Sequence, residues 1–290
     1  MPELPEVETI VRDLKKKVLN RAFLDVWTDW PNMIKKPKNF GLFKKGIKGE
    51  RIKEIKRKGK NILFRLSGGK TLLIHQKMTG HLLFGNWEKK KKGWRPKAKG
   101  PLEDPMNRFL HLVFWLDNKG QLALSDLRKF AKVELGESRE IESSKELTSL
   151  GPDPLEKDFN FRQFEEILKN KKGKIKKILM NQTLISGIGN IYSDEILWQA
   201  KIHPFRDVSK INKKELKTVY RVMREILKKA IKLRGESISD FRDLEGRKGQ
   251  FDIARKVYRR EGESCSRCGA VIKRMKMTGR SAHFCPNCQK

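Results

Sequence analysis

No stretch of this chain is long and apolar enough for a transmembrane helix, and the opening MPELPEVETI lacks the basic-then-apolar pattern of a secretory leader. A cytoplasmic protein is therefore expected. No cysteine occurs before Cys265, so disulfides cannot staple the bulk of the sequence. Internal repeats are also lacking, which argues against a solenoid. Acidic residues are scarce beside basic ones, 35 against 67, leaving a formal net charge of +32. Such a field draws in polyanions; nucleic acid is the first partner to expect and an anionic membrane the second.

What is present fits two domains and a small appended module, because 290 residues at 37% hydrophobic exceed one ordinary core. The module is the C-terminus, where Cys265-x2-Cys268 and Cys285-x2-Cys288 follow one another. Each pair offers two thiolates from a tight turn, and together they supply the four tetrahedral ligands of a structural zinc ion. Two disulfides are the competing reading, disfavoured in a reducing compartment. His283 lies between the pairs and is surplus to a four-thiolate site.

Apolar residues at helical spacing, Val7, Ile10, Val11, Leu14 and Val18, predict a helix over about 6–18, with Lys15, Lys16 and Lys17 suited to its C-terminus. Before it, Pro2 and Pro5 bracket Glu3 and stiffen the terminus. From about Phe23 to Leu135 strand signals dominate, with hairpins over 61–75 and 109–124, and the N-terminal part is expected to be a β-sandwich. Residues 35–60 hold twelve basic and two acidic residues, a pattern usual for a solvated face. EKKKKGWRPKAKG at 88–100 reads as a mobile loop. A turn-rich hinge covers 137–154, and helices are expected at 161–168, 175–180, 191–200 and 213–234. The predicted organisation is α+β: residues 1–136, a linker at 137–154, a helical domain at 155–260 and a zinc module at 261–290.

Three places could carry chemistry. Removal of Met1 would leave Pro2 as a free secondary amine, and an α-amine titrates near about 7.7–8.0, so part of it is nucleophilic at neutral pH. Attack on a sugar C1′ would expel a base and leave an iminium that eases later loss of phosphate; Glu3 stands beside it to move protons. The Gly-rich run Ser186-Gly187-Ile188-Gly189-Asn190 leads into a helix, where backbone N–H groups and a capping Asn190 could meet a phosphate. Arg280, between the cysteine pairs, sits where a hairpin tip could clamp another phosphate. Each signal alone is weak.

Taken in order, PELPEVE, RKGKNILF, HQKMTG, DLRKFA, SLGPDPL, SGIGNIYSDEILWQAKIHP and the final CxxC…RSAHFCPNCQ resemble the bacterial formamidopyrimidine-DNA glycosylases over the whole chain. The resemblance implies a β-sandwich domain, a helix-two-turn-helix domain and a zinc-finger hairpin with one structural Zn2+. The activity it implies is excision of oxidised purines (8-oxoguanine and formamidopyrimidines) from double-stranded DNA, followed by strand cleavage at the abasic site. A monomer is expected. Pro2 would be the Schiff-base nucleophile, Glu3 the general acid/base, Lys60 a phosphate contact and proton donor in β-elimination, and Arg280 a phosphate grip that assists δ-elimination. Asn190 would hold phosphates flanking the lesion. Met78, Arg128 and Phe130 would fill the gap left by an everted nucleotide, with Arg128 facing the orphaned cytosine. Cys265, Cys268, Cys285 and Cys288 would bind the metal.

The chain departs from the family pattern in places. Leu127 and Ala131 replace a commoner Pro and Gly in DLRKFA, Gln76 and Lys77 precede Met78 in place of an LGM-type context, and Phe109 stands where a histidine is usual, with His111 two residues on. Several lysines at 169–177 compete for the family's lesion-proximal lysine. Leu4, rather than Gly, favours the oxidised-purine branch over the related endonuclease VIII-like enzymes for oxidised pyrimidines. A non-catalytic zinc-containing DNA-binding protein would share the charge and the cysteines but not the need for Pro2, Glu3 and Lys60.

Overall fold

The computed structural model describes every residue except Lys92, Ser239 and Thr278. The chain forms two compact units: Met1–Thr148 with Leu233–Asp252, and Ser149–Lys232 with Ile253–Lys290. Leu233–Asp252, grouped by sequence with the helices before it, therefore belongs with the N-terminal unit. Among the described residues no helix is long and apolar enough to cross a membrane.

The first unit opens with α1 (Leu4–Lys17), in whose first turn Pro5 gives up no helix hydrogen bond. Its Val7, Ile10, Val11 and Leu14 are buried, the face read from the spacing. There follow β1 (Phe23–Thr28), β2 (Ile34–Lys36), α2 (Phe40–Ile47), β3 (Ile52–Lys58), β4 (Asn61–Leu66), β5 (Lys70–His75), β6 (His81–Gly85), β7 (Trp87–Lys90), β8 (Gly93–Pro96), β9 (Leu110–Leu116), β10 (Gln121–Ser125) and β11 (Lys132–Glu137), then two short helices, α3 (Ser138–Glu142) and α4 (Lys145–Thr148), within the stretch read as a hinge. Apart from the two-stranded β7–β8 sheet, these strands form two sheets, β1-β9-β10-β6 and β2-β11-β5-β4-β3, antiparallel except for the parallel β2–β11 pair. One hydrophobic cluster draws Phe114, Leu122 and Leu124 from the first sheet and Ile62, Phe64, Leu72 and Ile74 from the second, as a sandwich requires; Phe241 and Leu244 join it.

Two further elements depart from the sequence reading. Residues 40–47 are helical within a region of strand signals, because Asn39 accepts the Leu42 N–H at 3.0 Å and Phe43 and Ile47 are buried one turn apart. The stretch expected to be a mobile loop contains the β7–β8 hairpin. Aromatic packing fixes it. Trp94 lies 5.1 Å from Trp27 and 6.0 Å from Trp115 between ring centres, and Lys89 stands 4.5 Å over Trp27. The lysine count in that segment masked its anchoring Trp94.

The second unit contains α5 (Phe161–Leu168), α6 (Ile175–Leu179), α7 (Asn190–Ala200) and α8 (Lys213–Lys232), then the hairpin β12 (Lys273–Met277) and β13 (Arg280–Phe284). Phe159, Phe161 and Phe164 surround Tyr220, joining α5 to α8, and the Arg267 guanidinium lies 4.0 Å from the Trp198 ring centre, tying the cysteine module to α7.

Candidate nucleic-acid interface and reactive terminus

The terminal segment is held by one carboxylate. Glu3 is the N-cap of α1 in extended conformation, and buried Glu6 accepts its N–H at 2.7 Å. The other Glu6 oxygen accepts the Glu236 N–H at 2.8 Å, so residues 2–6 are fastened to the 233–252 segment. Gly235 makes this approach possible: its φ is +81°, and a Cβ there would sit 2.6 Å from Glu6 Oε1. Pro2 and Glu3 are both buried. The α-amine of Met1 is held below its usual value, chiefly by burial, against the opposing fields of Glu3, Glu6 and Asp240; the Lys60 cation adds to the lowering. Lys60 is itself buried, in the turn from β3 to β4. The structure thus brings Lys60 within electrostatic reach of the terminus that carries Pro2 and Glu3.

Met78, Arg128 and Phe130 also meet. Arg128 Nη1 points to Met78 Sδ at 3.3 Å, and its guanidinium lies 4.5 Å from the Phe130 ring centre. Met78 is 43% exposed and Phe130 50%, so neither is a core residue. Lys77 and Lys129, beside them, have φ of 54° and 58°, left-handed values in the turns that carry Met78 and Phe130. Beneath them, fully buried Asp126 accepts Thr79 Oγ1–H and the N–H groups of Ala131 (2.7 Å) and Arg128 (3.3 Å). Asp126 and Thr79 were missed by sequence, which offered no sign that one carboxylate serves two loops. Of the departures from family pattern, Ala131 is buried against Gly80 and Leu127 is exposed, while Gln76 is buried with neither amide atom hydrogen-bonded among the described residues. His111 is hydrogen-bonded to Asp29 at 2.8 Å.

His75, at the end of β5, is a further residue the reading passed over. Burial, with help from Lys77, Lys60 and Lys132, lowers its pKa to about 4, and its Nδ1 accepts the Lys77 N–H at 2.9 Å. It is a neutral imidazole among cations.

In the second unit Asn190 begins α7 but does not cap it; Gly189 is the N-cap, in extended conformation without a side chain to contribute. The expected capping role falls away because the turn ends one residue earlier. Gln182 instead fastens the loop: its Nε2 donates to the Met180 and Ile188 carbonyls at 2.8 and 2.7 Å, and its Oε1 accepts the Gly187 N–H at 2.9 Å. Asn190 Oδ1 is shielded and, among the described residues, has no hydrogen-bond partner.

Arg280 is exposed at the start of β13. Behind it, fully buried Lys176 binds Asp194 and donates to the Ser281 carbonyl at 2.9 Å, and Asp194 accepts His283 N–H and Nδ1–H at 3.0 and 2.9 Å. Lys176 is therefore the structural lysine of the 169–177 run, and His283 is committed to Asp194 rather than to a metal. The four Sγ atoms of Cys265, Cys268, Cys285 and Cys288 lie within 4.8 Å of one another, with 265–288 at 4.0 Å and 268–285 at 3.5 Å. Zn–S bonds of about 2.3 Å in a tetrahedron place sulfurs about 3.8 Å apart. The cluster fits one structural zinc ion.

Comparison with known proteins gives one answer along the chain. Residues 1–133 match the family model of the formamidopyrimidine-DNA glycosylase N-terminal domain, 150–242 that of the formamidopyrimidine-DNA glycosylase H2TH domain, and 262–290 that of a zinc finger found in FPG and IleRS. The formamidopyrimidine-DNA glycosylase of Desulforamulus reducens is 36% identical over 291 residues, covering 100% of this chain and 99% of its own. The Lactococcus lactis Fpg structure with abasic-site DNA is 35% identical with a TM-score of 0.85, each chain covered to 99%. A MutM structure with DNA containing carbocyclic 8-oxo-G gives 35% and 0.85, with both chains covered in full.

Proposed function

Because the chain belongs to the formamidopyrimidine-DNA glycosylase family, we propose that it excises 8-oxoguanine and formamidopyrimidines from duplex DNA and then cleaves the strand, with Pro2 as nucleophile. The observation that carries this assignment is the terminus: Pro2 is buried beside a fastened Glu3, and the neighbouring Met1 α-amine, within the field of Lys60, is held below its usual value by burial.

With Met1 removed, the Pro2 nitrogen lone pair forms a bond to C1′ and the C1′–base bond breaks, its electrons leaving with the base, which takes a proton. Glu3 moves protons at the sugar. The nitrogen loses its proton and its lone pair forms the C1′=N bond as C1′–O4′ breaks, with O4′ taking a proton from Glu3. The iminium acidifies C2′–H; loss of that proton expels the 3′ phosphate, a second elimination expels the 5′ phosphate, and water releases the sugar fragment. Lys60 neutralises phosphate charge and donates a proton during β-elimination. The base must leave the stack first, at a cost of a few kcal/mol. Met78 and Phe130 enter the gap, and Arg128 satisfies the unpaired cytosine edge. Asn190 and Arg280 hold phosphates, and the zinc ion, bound by the four cysteines, maintains the hairpin that presents Arg280. Such a substrate places the protein on the chromosome, in the bacterial cytoplasm.

Borohydride trapping tests the assignment. An 8-oxoguanine duplex should give a covalent adduct that vanishes in Pro2→Gly, with little adduct on thymine glycol. Tight binding without adduct would leave only a DNA-binding protein, and faster turnover of thymine glycol would move the chain to oxidised pyrimidines.

A further inference from the structure

The second unit contains a cavity of about 420 Å³ lined by Lys172, Lys174, Lys177 and Arg280, with Ile178 and Met277 among its apolar walls. Three features set it apart from a solvated lysine run. No carboxylate lines it among the described residues. Part of its wall is fixed, since Lys176 ties α6 to the Ser281 carbonyl of β13 and Lys174 is held 4.7 Å over the Phe205 ring, while Lys172, Lys177 and Arg280 are exposed side chains free to close on a ligand. Asn181, also on the wall, has its Oδ1 taken by Thr183, leaving the amide Nδ2 as the atom it can offer a ligand. Four cations and an amide donor around one space call for a compact, highly charged anion.

We propose that this cavity binds the terminal phosphate monoester of a cleaved strand, together with part of the attached nucleoside. The inference rests on the reading that the protein cuts DNA, because two eliminations leave a phosphate monoester on each new end. A phosphodiester carries one charge and is flanked by sugars on both sides, so it can lie only across the mouth. A monoester carries close to two charges at neutral pH and has a free end that can enter. The volume lies within the range of ligand pockets, about 300–1,000 Å³, and the apolar walls suit a sugar or base face. Since Arg280 belongs both to this wall and to the proposed phosphate grip, the site would retain a product end close to where it is made.

Equilibrium binding of the zinc-loaded full-length protein to one-nucleotide-gapped duplexes tests this. Ends would be phosphorylated at both sides, at the 5′ side only, at the 3′ side only, or at neither. Phosphorylated ends should bind at least about tenfold more tightly than hydroxyl ends, and the single-sided duplexes identify which end enters. Lys172→Gln/Lys177→Gln should reduce that ratio to about one while changing affinity for the hydroxyl-ended duplex little. Millimolar inorganic phosphate should erase the preference in the unsubstituted protein. Equal affinity for all four duplexes, or a uniform loss in the variant, would overturn the proposal. Absence of a borohydride adduct would instead overturn the enzymatic reading and leave the end preference measurable.

Discussion

The Arg128 guanidinium lies over the Phe130 ring, 4.5 Å from its centre, so the residue proposed to face the orphaned cytosine is braced by the one proposed to enter the stack. An exposed cation–π contact is worth about 0.5–1 kcal/mol, enough to bias the side chain without locking it. Phe130→Ala should therefore lose both a wedge and a support. Excision of 8-oxoguanine should fall by at least about tenfold in kcat/KM, while cleavage of a preformed abasic site suffers less. Arg128→Ala should narrow the rate difference between lesions opposite cytosine and opposite adenine. Unchanged opposite-base preference would show that Arg128 does not read the partner strand.

Asp126 should matter more to that loop than either residue it supports. It is fully buried and accepts from Thr79, Arg128 and Ala131, so Asp126→Ala leaves shielded donors without an acceptor, at a cost of about 1–3 kcal/mol. Asp126→Asn keeps the size and one oxygen acceptor and should cost less. Urea denaturation gives the order; a larger loss for Asn than for Ala would contradict the hydrogen-bonding account.

Much of this arrangement was readable from residue patterns, but not all of it for the same reason. The buried face of α1 and the cysteine cluster follow from local spacing, which a linear sequence displays. The ordered motifs made Pro2, Glu3 and Lys60 candidates, yet their grouping depends on Glu6 reaching Glu236, 230 positions away. Lys176 looked like one member of a basic run because its partners, Asp194 and Ser281, are distant in sequence. The β7–β8 hairpin was hidden because lysines outnumber its tryptophans, although the tryptophans decide its conformation.

His75 predicts a pH dependence. Its pKa falls from the ordinary 6.5 to about 4 in the folded chain, so between those values the unfolded chain binds more protons. Its contribution to stability is complete above pH 6.5 and is lost as pH drops toward 4. At about 1.36 kcal/mol per unit the upper limit is about 3 kcal/mol, reduced in practice by partial solvent access. His75→Gln should flatten the urea midpoint between pH 6.5 and 4.5 relative to the unsubstituted protein. Parallel curves would mean that the imidazole is not held neutral.

The hairpin that carries Arg280 is secured twice, by the four-cysteine cluster and by the buried Lys176–Asp194 pair, and the two supports should fail differently. Chelation should release one zinc ion per chain and abolish tight DNA binding, because the cysteine turns lose the ion that joins them. Lys176→Met should retain the zinc. It strips a buried carboxylate of its cation, a change worth about 3–5 kcal/mol. Adding Asp194→Asn removes the stranded charge while leaving an oxygen for His283, so the double variant should recover part of the loss. Zinc content, urea midpoint and DNA affinity measured on the same preparations separate these effects. A double variant less stable than Lys176→Met would show that Asp194 contributes through its bonds to His283 rather than through the ion pair.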